Sequence, residues 1–134
     1  MAAVKLTPEI AGLMRREIAL QKTYASLNDD QGFLDSDDQF HALIARAAGF
    51  ESIWDDVREA KFHMDRVRRL SLLSQQHMLD LVAEHEEILG KLVAHDVDGA
   101  DKSIASHLTS VMHELDLIRA RAPQYFIGDN AQNR

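Results

Sequence analysis

The sequence predicts an all-α fold, an antiparallel bundle of about five to six helices, on three observations. Apolar residues recur at helical spacing along nearly the whole chain. Strand-like alternation and hairpin signals are absent. The two prolines, Pro8 and Pro123, sit near the ends and leave the middle free of helix breakers. With 134 residues, 46% of them hydrophobic and 28% charged, the chain has the balance of one soluble globular domain with its own core.

Helix one opens at Thr7-Pro8-Glu9, a cap followed by a first-turn proline and an acid that suits the helix dipole. It runs to about Leu27, with Ile10, Leu13, Met14, Ile18 and Tyr24 as its inner side. Asn28, Asp29 and Asp30 break or bend the chain. Helix two carries Phe33, Asp37, Phe40, His41, Ile44 and Ala48 on one face and stops at Gly49, a suitable C-cap. Helix three spans roughly Glu51 to Leu73, with Ile53, Val57, Ala60, Met64, Val67 and Leu70 at helical spacing.

Ser74 caps helix four, whose stripe is Met78, Leu81, Val82, His85, Ile88, Leu89 and Leu92. A turn in AHDVDGA leads to helix five, with Ala100, Ile104, His107, Leu108, Val111, Leu115 and Ile118. Pro123 ends that helix. Residues 1–127 therefore read as one domain, and 128–134 as a polar tail expected to fray. Short loops between five such helices imply an antiparallel bundle.

Composition excludes several functions. The chain has no cysteine, so a disulfide framework or a thiolate site is ruled out, and any metal must be held by nitrogen and oxygen. The formal net charge is −7, a poor match for a phosphate backbone. No apolar run approaches the roughly 18 residues of a membrane span, and the N-terminus has no signal-peptide core, so a cytoplasmic protein is expected.

Four polar residues interrupt the apolar stripes: Asp37, His41, His85 and His107. Burying an unpaired carboxylate or imidazole is unfavourable. Taken singly, each fits an ordinary core hydrogen bond. Asp37 and His41 are four apart and project from adjacent turns of one face. Together with His85 and His107 they form a donor set for a divalent ion, built from three helices. Imidazole suits Zn, Ni, Cu and Fe, and the carboxylate extends the choice to Mn. Such a set leaves coordination positions free for a ligand. His63, His77, His95 and His113 fall at flanks, ends or loops, with His113 closest to a stripe. Arg66, Arg68 and Arg69 form the one basic cluster. It reads either as a solvated face or as an arginine turned inward to bind a carboxylate bidentately.

The run DDQFHALIARAAGF at 37–50 resembles the D-x-x-F-H…A-x-x-A-G signature of the FCD domain, the effector-binding domain of FadR-subfamily GntR transcription regulators. The resemblance continues through MDRVRRLSL at 64–72, EHEEIL at 84–89, DGADKSIASHL at 98–108 and PQYF at 123–126. It covers most of the chain from about residue 5. In the metal-binding branch of that family, the ligand positions match Asp37, His41, His85 and His107, which favours that branch over the acyl-CoA type. The resemblance implies a divalent metal (Zn, Ni or Mn), a small carboxylate metabolite with Arg66 or Arg69 as its counter-charge, and a homodimer. It implies DNA binding only through a winged-helix domain absent from this chain, which starts after that domain and after the first family helix. Two other readings stand beside it. One is a metal-dependent hydrolase or lyase, although Glu84 and Glu86 are expected to point away from the ligands. The other is a purely structural dimerisation bundle.

Overall fold

The computed structural model describes residues 6–48, 62, 66 and 74–121, and in that region the chain is all helical. Helix α1 runs Pro8–Ser26, α2 Asp30–Ala48, α3 Gln75–Val93 and α4 Val97–Arg121. The predicted helix over 51–73 lies outside the described residues, apart from Phe62 and Arg66, both of which are helical. The predicted inward residues Ala48, Val111, Leu115 and Ile118, and the 128–134 tail, also lie outside the described side chains.

The helix starts follow the sequence signals. Thr7 Oγ1 accepts from the Ile10 N–H at 3.1 Å, and Ser74 Oγ accepts from the His77 N–H at 3.1 Å. Each satisfies one of the donors that a helix N-terminus leaves open.

The turns α1–α2 and α3–α4 are built alike. Asn28 and His95 both adopt φ 54°, the left-handed region that ends a helix. Asn28 N–H bonds to Ala25 and Asp29 N–H to Tyr24, closing a Schellman pair. His95 to Leu92 and Asp96 to Lys91 repeat it. The residue that completes each pair then caps the next helix. Asp29 Oδ1 accepts from Gly32 N–H at 2.9 Å, and Asp96 Oδ1 from Gly99 N–H at 2.9 Å. Glycine is needed at that third position because a Cβ on Gly32 would lie 2.6 Å from the Tyr24 ring. One on Gly99 would run into the Asp96 carboxylate. These turns start α2 and α4 earlier than the apolar stripes indicate, at Asp30 and Val97.

Each turn folds its two helices into an αα-hairpin. α1 lies between α2 and α3, and α3 packs on α4. Ser36 Oγ donates to the Glu17 carbonyl at 3.1 Å, and Gln75 Nε2 donates to the Ala25 carbonyl at 3.0 Å, setting the register of α2 and α3 against α1. The core combines Ile10, Met14 and Ile18 of α1, Phe33, Phe40 and Ile44 of α2, Met78, Leu81, Ile88 and Leu92 of α3, and Ala100 and Ile104 of α4. Burial of each large apolar side chain stabilises the fold by about 1.5–3 kcal/mol. Leu13 departs from expectation: it is 37% exposed. At about 100° per residue it falls roughly a third of a turn off the Ile10–Met14–Ile18 stripe.

Candidate metal centre

Asp37 and His41 project from adjacent turns of α2, in the same stripe as Phe33 and Phe40. His85 comes from the middle of α3 and His107 from α4. Every one of the four is buried, with at most 2% of its surface exposed. The structure thus brings together all four residues singled out in the sequence.

Three imidazoles, those of His41, His85 and His107, each offer one ring nitrogen, and these nitrogens lie within 4.8 Å of one another. His41 Nε2 and His107 Nε2 are 2.7 Å apart, their rings nearly parallel with centroids at 5.0 Å. Asp37 Oδ1 lies 3.2 Å from His85 Nε2 and 3.5 Å from His41 Nδ1. His85 meets His41 and His107 edge-on, at centroid separations of 5.4 and 4.9 Å. α2 and α4 are joined side chain to side chain by the His41–His107 pair.

The outward nitrogens are held by other residues. His107 Nδ1 donates to Glu84 Oε1 at 2.8 Å, and His85 Nδ1 donates to Gln21 Oε1 at 2.7 Å. Phe40 stacks on His85 with ring centroids 4.4 Å apart. With Nδ1 donating outward, a neutral imidazole keeps its lone pair on Nε2. The Nε2 atoms of His85 and His107 both face the cluster. Metal-bound histidines show the same arrangement, the far ring nitrogen held by a carboxylate or carbonyl. Burial pushes the His85 imidazole below its usual value of 6.5, against the opposing pull of the Asp37 carboxylate. That favours the neutral form, which is the form that ligates.

Three nitrogens and one carboxylate oxygen, with outward partners on two of the three rings, fit a divalent cation such as Zn, Ni or Mn by donor chemistry.

Two residues of this arrangement were missed in the sequence. Glu84 does not point away from the site, as the sequence suggested, but reaches across to His107 on the next helix. Nothing in its local sequence signals this, because the contact depends on how α3 and α4 pack. Gln21 did carry a signal, since it interrupts the Ile10–Met14–Ile18–Ala25 stripe just as the histidines interrupt theirs. Of the remaining histidines, His95 and His113 are exposed and His77 is partly buried, while His63 lies outside the described residues. Arg66 is exposed, and Arg68 and Arg69 lie outside the described residues.

A separate open groove of about 520 Å³ runs between α1 and α3, floored by Ile18, Leu89 and Val93 with Arg15 and Lys22 beside it. It shares no lining residue with the cluster. No helix among the described residues is long and apolar enough to cross a membrane.

Residues 1–110 match the family model of the FCD domain. The chain is 32% identical over 127 residues to an HTH-type transcriptional regulator in an unstable DNA locus of Streptomyces ambofaciens, covering 95% of this chain and 53% of that protein. It is 27% identical over 114 residues to the HTH-type transcriptional repressor RspR of Escherichia coli K12, covering 85% of this chain and 48% of the repressor. The HTH-type regulator YdfH of Shigella flexneri matches to the same extent. The chain spans about half the length of these relatives.

Proposed function

The chain belongs to the FCD domain family, and from that premise we propose that it is the effector-sensing part of an HTH-type transcriptional regulator, holding a divalent metal with Asp37, His41, His85 and His107. One observation carries the metal reading. Three buried imidazole nitrogens converge within 4.8 Å of one another, with the Asp37 carboxylate 3.2 Å from one of them. When bound, the ion supplies concentrated positive charge at the bundle centre, an anchor for the oxygens of a small carboxylate metabolite.

The chain's own residues do the rest. Asp37 contributes negative charge that offsets the ion. Gln21 and Glu84 orient His85 and His107, and Phe40 walls one face of His85 and keeps water from it. Glu84, engaged with His107, acts as an orienting group rather than as a free base, which supports a sensor over a hydrolase. Arg66 or Arg69 would neutralise a ligand carboxylate. The regulator would work as a cytoplasmic homodimer and contact DNA through a helix-turn-helix domain outside this chain. Ligand shifts that dimer between arrangements only by its differential affinity for them.

The test is elemental analysis of gently purified protein beside a His85→Ala variant. About one metal per chain in the parent, lost in the variant, is the expected result. Parent protein that stays metal-free after exposure to Zn, Ni and Mn overturns the reading and leaves a structural helical domain.

A further inference from the structure

Gln21 is fully buried on α1, in a stripe otherwise made of Ile10, Met14, Ile18 and Ala25. Its Oε1 accepts from His85 Nδ1 at 2.7 Å, and its Nε2, equally buried, has no hydrogen-bond acceptor among the described residues. A buried amide left half satisfied is unfavourable. A Leu or Met at this position would extend the apolar stripe without that penalty. Packing therefore does not account for the residue, whereas its carbonyl oxygen does.

A neutral imidazole carries one proton, on either Nδ1 or Nε2. His85 has an acceptor on each side, Gln21 Oε1 at 2.7 Å from Nδ1 and Asp37 Oδ1 at 3.2 Å from Nε2. If the proton sat on Nε2, that nitrogen would have no lone pair to offer a cation. With the proton on Nδ1, the Nε2 lone pair faces the side of the ring where Asp37 Oδ1 lies and is available to a cation.

We propose that Gln21 is a positioning residue of the metal centre: its side-chain carbonyl holds the His85 proton on Nδ1 and so keeps Nε2 available as a ligand. This rests on the metal reading above. The amide sets the tautomer without adding charge to a site that already contains Asp37. Glu84 performs the matching task for His107 with a carboxylate that is partly exposed to solvent.

The experiment compares the full chain with Gln21→Met and Gln21→Glu. Metal-loaded protein is titrated with a chelator of known affinity, and helix content is checked by circular dichroism. Outward partners of this kind are worth roughly ten- to a hundredfold in metal affinity. Gln21→Met is expected to keep its helix content and lose Zn affinity by that factor. Gln21→Glu, which retains an acceptor oxygen, is expected to bind Zn at least as tightly as the parent. In ¹⁵N-edited spectra of the metal-free chain, His85 is expected to carry its proton on Nδ1 in the parent and on Nε2 in Gln21→Met.

A Gln21→Met affinity within about twofold of the parent overturns the proposal, because it lies outside the range for an orienting partner. Weakening of Gln21→Glu to the same degree as Gln21→Met also overturns it, by assigning the loss to packing. If the parent takes up no metal, the metal reading fails by itself. The His85 spectrum of the parent still decides the tautomer, with Nε2–H counting against Gln21 and Nδ1–H in its favour. That spectrum needs no variant, so misfolding of Gln21→Met leaves the proposal decidable.

Discussion

Removing the metal should destabilise the parent chain and leave His85→Ala unmoved. The four donors exist as a set only in the folded bundle, because they come from three helices and Asp37 and His107 are 70 residues apart in sequence. A metal that binds the folded state and not the unfolded one adds RT ln(1 + [L]/Kd) to stability, about 2.7 kcal/mol at a hundred times its dissociation constant. For a domain of this size each kcal/mol shifts the melting temperature by about 3–5 °C, so a strong chelator should lower Tm by about 8–14 °C. Re-adding Zn or Ni should restore it. His85→Ala removes a fully buried ring stacked on Phe40, so the metal-free variant should already be weaker by on the order of 2–4 kcal/mol from the cavity. Its Tm should then be insensitive to chelator and to added metal. Differential scanning fluorimetry of both proteins, with and without chelator, reads all four states. An unchanged Tm in the chelated parent, or an equal chelator shift in the variant, would refute the linkage between metal and fold.

Acid should weaken the chelated protein in a defined window. His85 is held below its unfolded value of 6.5 by burial, so its neutral form is favoured in the fold. Its contribution to stability is complete above that value and is lost as the pH falls from it toward the folded pKa. Melts between neutral and mildly acidic pH should therefore decline more steeply in the parent than in His85→Ala, and parallel declines would assign the effect to other groups. Proton competition for the imidazoles should weaken metal binding in the same direction. Citrate-like acids should raise the Tm of metal-loaded protein and leave the chelated protein unaffected; equal stabilisation of both moves the carboxylate site elsewhere. Gly32→Ala places a methyl group against Tyr24 and should cost about 1–3 kcal/mol by denaturant melt, whereas Gly12→Ala, where nothing lies within 4 Å, should not destabilise. Asp29→Ala removes the α2 cap and should cost about 1 kcal/mol, and a neutral result would deny the cap its role.

The same property made some features legible and hid others. Helical periodicity is local, so the described parts of the stripes of α1 to α4, Leu13 aside, and the caps at Thr7 and Ser74 could be read directly from the chain. It also exposed Asp37, His41, His85 and His107, because a polar side chain at a core position stands out against its own helix. Leu13 was misjudged because it lies at the edge of a stripe, where the decision between core and solvent belongs to the neighbouring helix. The starts of α2 and α4 were misjudged because Asp29 and Asp96 cap through a bond to a glycine, a signal that apolar spacing does not contain.

What the sequence by itself determined was which faces are buried and which polar residues they carry. Tertiary structure alone decided which groups meet. His41 faces His107, Glu84 reaches over to a different helix, and Gln21 takes the far nitrogen of His85, 64 residues away. The physical reason is range: residue spacing fixes a side chain's direction from its own axis. Its partner depends on the angle and offset at which two axes pack, and those follow from the whole core together.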